Sequence, residues 1–148
     1  MLNLGYICKN NFEPNSKDLT KQEHITYWLE QAEDSWQSAL VLMEGKKYAM
    51  AAFCFHLSIE KLLKGIWVKN NDDNYPPKIH NLIYLHDAAK LDLEEVYTDM
   101  FKPINTWNME GRYPEYLNKL HYAITKEYLT EKLSSLETLK QCLQKILQ

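Results

Sequence analysis

Glycine and proline are scarce in this chain, 4 and 5 among 148 residues. So few breakers exclude a fold of many short strands and tight turns and favour long helices. Cysteine is scarcer still. Cys8, Cys54 and Cys142 are odd in number, far apart and form no CxxC pair, which speaks against a disulfide framework or a zinc site. Reduced thiols in a cytoplasmic protein are the expectation. No window approaches the ~20 apolar residues of a membrane span, and the opening MLNLGYICKNNFEP lacks the sustained apolar run of a secretory signal. Positive charge is not in excess either. With 17 basic and 20 acidic residues the formal charge is −3, which argues against a general binder of phosphate backbones, though a local basic patch is allowed. Several catalytic signatures are missing: no GxxxxGK[ST] or GxGxxG phosphate loop, no GxSxG elbow and no HExxH. The histidines (His24, His56, His80, His86 and His121) include no pair at a step of three or four, so no metal site and no cofactor is expected.

What is present is ordinary for a globular protein: 45% hydrophobic and 25% charged residues. A chain of this length forms one domain that buries roughly 70% of its unfolded surface. Residues 1–19 have no clear period and read as an irregular arm, packed through Leu4, Tyr6, Ile7 and Phe12; residues 20–148 read as the domain. Thr20 and Glu23 fit a capping box that starts a first helix, which Gly45 ends as a left-handed cap. A second helix, about Lys46 to Lys69, is apolar around most of its circumference between Tyr48 and Ile59, and so should be central. Gly65, alone in its middle, allows a close helix contact. The run NNDDNYPPK is a loop. A shorter helix from about His80 to Lys90 follows, then one from the capping signature Asp92/Glu95 to about Trp107, which Pro103 should kink or shorten. Gly111 and Pro114 bound a non-helical corner. A last helix runs from about Thr125 to Leu147. The expected fold is all-α: an antiparallel bundle of about five helices with a four-helix up-and-down core.

Two groups of residues could carry chemistry. His56, Glu60 and Lys64 lie at steps of four on the central helix and share one line on its surface. They either close the edge of the core or line a polar groove. The second group is the corner GRYPEY. Arg112 can hold a phosphate bidentately, Tyr113 can stack on a base, and His121 can move a proton near neutral pH. The bland alternative is that Arg112 caps a helix or pairs with a carboxylate while Tyr113 packs on the core. Trp28, Trp36, Trp67 and Trp107 are more large aromatics than a small core readily hides, so some should face a partner.

WLEQAEDSWQSALVLMEGKKY, YAMAAFCFHLSIEKLLKGIW, Pro77 with KIHNLIYL, and GRYPEY together resemble the HEPN family (higher eukaryotes and prokaryotes nucleotide-binding domain), from about Thr20 to the carboxyl end. The resemblance implies a helical bundle, often a homodimer. It also implies a small nucleotidyltransferase as partner, in pairs of toxin–antitoxin type. Catalytic members of the wider superfamily are RNases with Arg, four to six residues, then His. Here eight residues, Tyr113 to Leu120, separate Arg112 from His121 and include Pro114. The chain therefore resembles the branch without the RNase motif, and catalysis is not carried over. The expected role is a binding module for a nucleotide or nucleic acid, with a ligand site near Lys64, His80, Arg112 and Tyr113. The alternative is a metal-independent endoribonuclease using Arg112 and His121.

Overall fold

The computed structural model describes residues 18–148, so the expected arm up to residue 17, with Leu4, Tyr6, Ile7, Phe12 and Cys8, lies outside the described residues. The helices are α1 (Lys21–Glu44), α2 (Tyr48–Asn70), α3 (Leu82–Ala88), α4 (Glu95–Asn105), α5 (Pro114–Ala123) and α6 (Lys126–Leu147). No strand occurs among the described residues. The all-α bundle expected from the sequence is present, with one helix more among the described residues.

The extra element is α5. Pro114, read from sequence as the edge of a non-helical corner, occupies its first position. There the missing N–H would have no intrahelical partner, and the fixed φ already suits a helix. A second correction concerns the end of α1. Gly45 has φ −74°, and the left-handed residue is Lys46, at φ 60°. The N–H of Lys46 donates to Met43 O (3.0 Å) and that of Lys47 to Leu42 O (2.8 Å), the paired bonds that place the left-handed residue one position past the cap. The start of α1 is as expected: Thr20 Oγ1 accepts from Glu23 N–H, and the Glu23 carboxylate accepts from Thr20 N–H. At α4 the Asp92/Glu95 signature does not form; Glu94 is the cap residue and gives no side-chain bond. Pro103 sits in the final turn of α4, which stops at Asn105, short of Trp107.

Helix α2 contacts all the other helices, most extensively α1 and α6. Phe55, Ile59, Leu62, Leu63 and Ile66 on it are fully buried. This is the outcome its nearly all-round apolar surface demands. Gly65 lies at a close crossing: a Cβ built there would stand 2.9 Å from Leu147 Cδ2 and 3.2 Å from Trp28 Cβ. A side chain there would have to displace the Leu147 methyl groups and press on Trp28 Cβ of α1. Polar bonds pin the same seams. Ser58 Oγ donates to Ala32 O (2.8 Å), and Lys69 Nζ donates to Ile146 O (2.6 Å) at the end of α6. Lys21 Nζ donates to Val68 O (2.9 Å) and Asn71 O (2.8 Å), satisfying carbonyls at the end of α2. Lys140 joins α6 to α1 through Glu33 at 2.7 Å and lies over the Trp36 ring. The Lys140 and Gln37 hydrogen bonds hold the Glu33 carboxyl below its ordinary range. Trp36 and Trp107 are buried within the chain itself; Trp28 and Trp67 are half-buried.

Candidate functional site

The line His56–Glu60–Lys64 on α2 faces inward. Glu60 is only 4% exposed, a position where a carboxylate needs partners for its charge and its lone pairs. It has them. Lys64 Nζ lies 2.7 Å from Oε1, one turn along the helix. His80 Nδ1 lies 3.1 Å from Oε1 and 3.2 Å from Oε2. His80 comes from the segment before α3, so the loop is tied to the middle of α2. The far side of the His80 ring meets a second carboxylate, Glu110, at 2.6 Å from Nε2. Both ring nitrogens therefore face carboxylate oxygens. Lys64 also lies over the Trp28 ring of α1, 5.7 Å from its centroid.

His56 completes the cluster from below. Its Nε2 donates to the His80 carbonyl (3.1 Å), which leaves Nδ1 as the bare nitrogen. That atom is buried without a hydrogen-bond partner and stands 3.7 Å from Glu60 Oε2, too far for a hydrogen bond. Burial holds the His56 imidazole below its ordinary value of 6.5; the Glu60 carboxylate and the His80 carbonyl pull upward without overcoming it. A neutral His56 thus props the backbone of His80, while a chain of hydrogen-bonding side chains, Lys64–Glu60–His80–Glu110, runs from the core to the surface.

That chain emerges at the corner. Glu110 precedes Gly111, which needs its φ of 69°, and then Arg112 and Tyr113. Asn108, buried beside them, accepts from Glu110 N–H through Oδ1 (3.1 Å). Arg112 is exposed, with its guanidinium 4.6 Å from the Tyr116 ring centroid. Tyr113 is 78% exposed and does not pack on the core. Of the four residues expected to bind a ligand, Lys64 and His80 meet on Glu60, and Arg112 and Tyr113 stand on the loop that Glu110 fastens to His80. Sequence reading missed Glu60 as the hub and Glu110 as the outer anchor. The clue was that a carboxylate on an apolar helix needs partners from elsewhere in the chain.

His121 lies apart from this group. It is exposed near the far end of α5, eight helical steps or ~12 Å along the axis from Tyr113. Its ring meets Tyr122 edge-on (5.6 Å between centroids). It borders an open cleft of about 650 Å³ formed where the α1–α2 turn meets the α5–α6 turn. Arg112 does not line that cleft. Among the described residues no group of three or more His, Cys, Asp and Glu is arranged to hold a metal ion. Burial pushes the Cys54 thiol up, which disfavours the reactive thiolate. No helix among the described residues is long and apolar enough to cross a membrane.

A buried central helix wrapped by five others, with one polar seam leading to a loop corner, defines a helical-bundle module. The HEPN domain model matches residues 25–146, and the chain belongs to the HEPN family. This makes it a helical module of a family concerned with nucleotides and nucleic acids. Its fold is similar to that in the crystal structure of TT1696 from Thermus thermophilus, with a TM-score of 0.68 at 20% sequence identity. The likeness covers 83% of this chain and 98% of that one, and is one of fold. No curated protein matches the chain.

Proposed function

We propose that this HEPN module binds a nucleotide or nucleic acid without cutting it and serves as the partner subunit of a small nucleotidyltransferase, in a pair of toxin–antitoxin type. The observation that carries the non-catalytic part is the separation of Arg112 from His121 at opposite ends of α5. Metal-free RNA cleavage by this pair would need the Arg112 cation on the phosphate and the His121 imidazole at the 2′-hydroxyl of the same nucleotide. The binding part is supported by the corner, where Arg112 and Tyr113 are exposed and the loop beneath them is fixed through His80 and Glu110. Arg112 would hold a phosphate and Tyr113 a base. Lys64 and His80 act from behind, by fixing Glu60 and the loop. Two half-buried tryptophans, Trp28 and Trp67, favour a homodimer.

The test is anisotropy of a labelled single-stranded RNA decamer with wild type and Arg112→Ala, beside an RNA-cleavage assay with wild type and His121→Ala. Binding that Arg112→Ala weakens, with no cleavage by either protein, is expected. Cleavage by wild type that His121→Ala abolishes would establish the nuclease instead. RNA binding equal in wild type and Arg112→Ala would remove the corner from the reading. Light scattering at the mass of one chain would remove the dimer.

A further inference from the structure

The cleft at the amino end of α2 has no part in the reading above. Its volume of about 650 Å³ lies in the range of roughly 300–1,000 Å³ usual for small-molecule sites. Its walls are apolar. Met50 and Met109 line it, and the Tyr122 ring stands at its edge, 80% exposed. Three lysines border it, Lys46, Lys47 and Lys126, against one carboxylate, Glu127. This local excess of cations runs against the net charge of −3. Among the described residues none of these three ammonium groups is held in an ion pair or hydrogen bond, whereas those of Lys64 and Lys140 are. The turn presenting Lys46 and Lys47 is fixed by its two backbone bonds to Met43 and Leu42, so two of the three cations stand on a formed frame.

Apolar walls with an aromatic edge suit a flat ring. Three cations at one mouth suit a dianionic phosphate better than a lone carboxylate. We propose that the cleft seats a nucleoside monophosphate, its base against Tyr122 and the two methionines and its phosphate among Lys46, Lys47 and Lys126. The proposal rests on the nucleotide-binding reading and gives the small ligand a place apart from the Arg112 corner.

Calorimetric titration with adenosine 5′-monophosphate tests it, with adenosine and inorganic phosphate as probes of each half. The nucleotide is expected to bind more tightly than either half. A Lys47→Glu/Lys126→Glu variant, both sites being exposed, should weaken it by about tenfold or more, since it removes charge-assisted hydrogen bonds to the phosphate and adds repulsion. Tyr122→Ala should weaken the nucleotide and leave inorganic phosphate unchanged, and Lys102→Ala, an exposed cation of α4 outside the cleft, should leave both unchanged. A thermal melt matching wild type checks that each variant is folded. No binding by wild type, equal binding by the double-lysine variant, or phosphate binding as tight as the nucleotide would each overturn the cleft. Loss of nucleotide binding on Arg112→Ala alone would overturn it too, while leaving the corner standing. The corner fails on its own measurement, RNA binding that ignores Arg112.

Discussion

The middle of α2 and its amino end both bring lysine together with histidine and glutamate, under opposite conditions. In the middle, Lys64, Glu60, His80 and Glu110 form a closed chain of neighbours at 2.6–3.2 Å, and its inner members are buried. At the amino end, Lys46, Lys47 and Lys126 are exposed, and among the described residues their ammonium groups have no ion-pair or hydrogen-bond partner. Desolvation explains the difference. A charge removed from water must be matched by the fold, and it then fixes where segments go. A charge left in water costs the fold little and remains available to a ligand. The first cluster should therefore govern stability, and the second binding.

The sharpest attack on this contrast is Glu60→Ala, which leaves Lys64 and His80 without their shared acceptor. Removing one partner of a buried pair costs about 3–5 kcal/mol, and urea unfolding should show a loss of that order. Replacing both Glu60 and Lys64 by methionine should cost far less. If Glu60→Ala unfolds at the wild-type midpoint, the buried chain is not what holds the loop. Next comes Gly65→Val. The added isopropyl group has no room between Trp28 and Leu147, and overpacking of this kind costs ~1–3 kcal/mol. A variant as stable as wild type would mean that α6 can shift without loss.

Acid gives a smaller effect. Because the folded His56 sits below its ordinary 6.5, the unfolded chain takes up a proton first as pH falls. The contribution of neutral His56 is thus full above about pH 6.5 and is lost as pH drops through the lower folded value. Its slope cannot exceed ~1.4 kcal/mol per pH unit for one proton. Glu60, His80 and Glu110 face the same ring. The comparison to make is therefore with His56→Gln, whose stability should fall less between pH 7 and pH 5. Parallel curves for the two proteins would assign the acid sensitivity to other groups. The smallest effect belongs to Lys47→Glu/Lys126→Glu, which should unfold within about 0.5 kcal/mol of wild type, as exposed substitutions do. A large loss there would erase the distinction between the two clusters.

How much of this is readable in the sequence depends on distance along the chain. Helices α1, α2 and α6 were legible because the three-four spacing of Ile25, Trp28, Leu29 and Ala32, or of Leu129, Leu133 and Leu136, is a local signal. The burial of α2 was legible for the same reason. Helix α5 was not, because Pro114 carries opposite meanings at the first position and in the interior of a helix. Within the site, the step of four joining Glu60 to Lys64 was visible. The bridge from Glu60 through His80 to Glu110 spans 50 residues of chain with no repeating pattern, and only folding brings its members together. The cleft was hidden likewise: Lys47 and Lys126 are neighbours only because two interhelical turns meet.

Gly65 and Leu147 have a practical corollary. The side chain of Leu147, on the last turn of α6, packs beside Gly65 of α2, so the bundle holds this turn. A cut in the backbone just before Leu147 would remove packing from around α2. A fluorophore is better carried on an exposed face away from this turn.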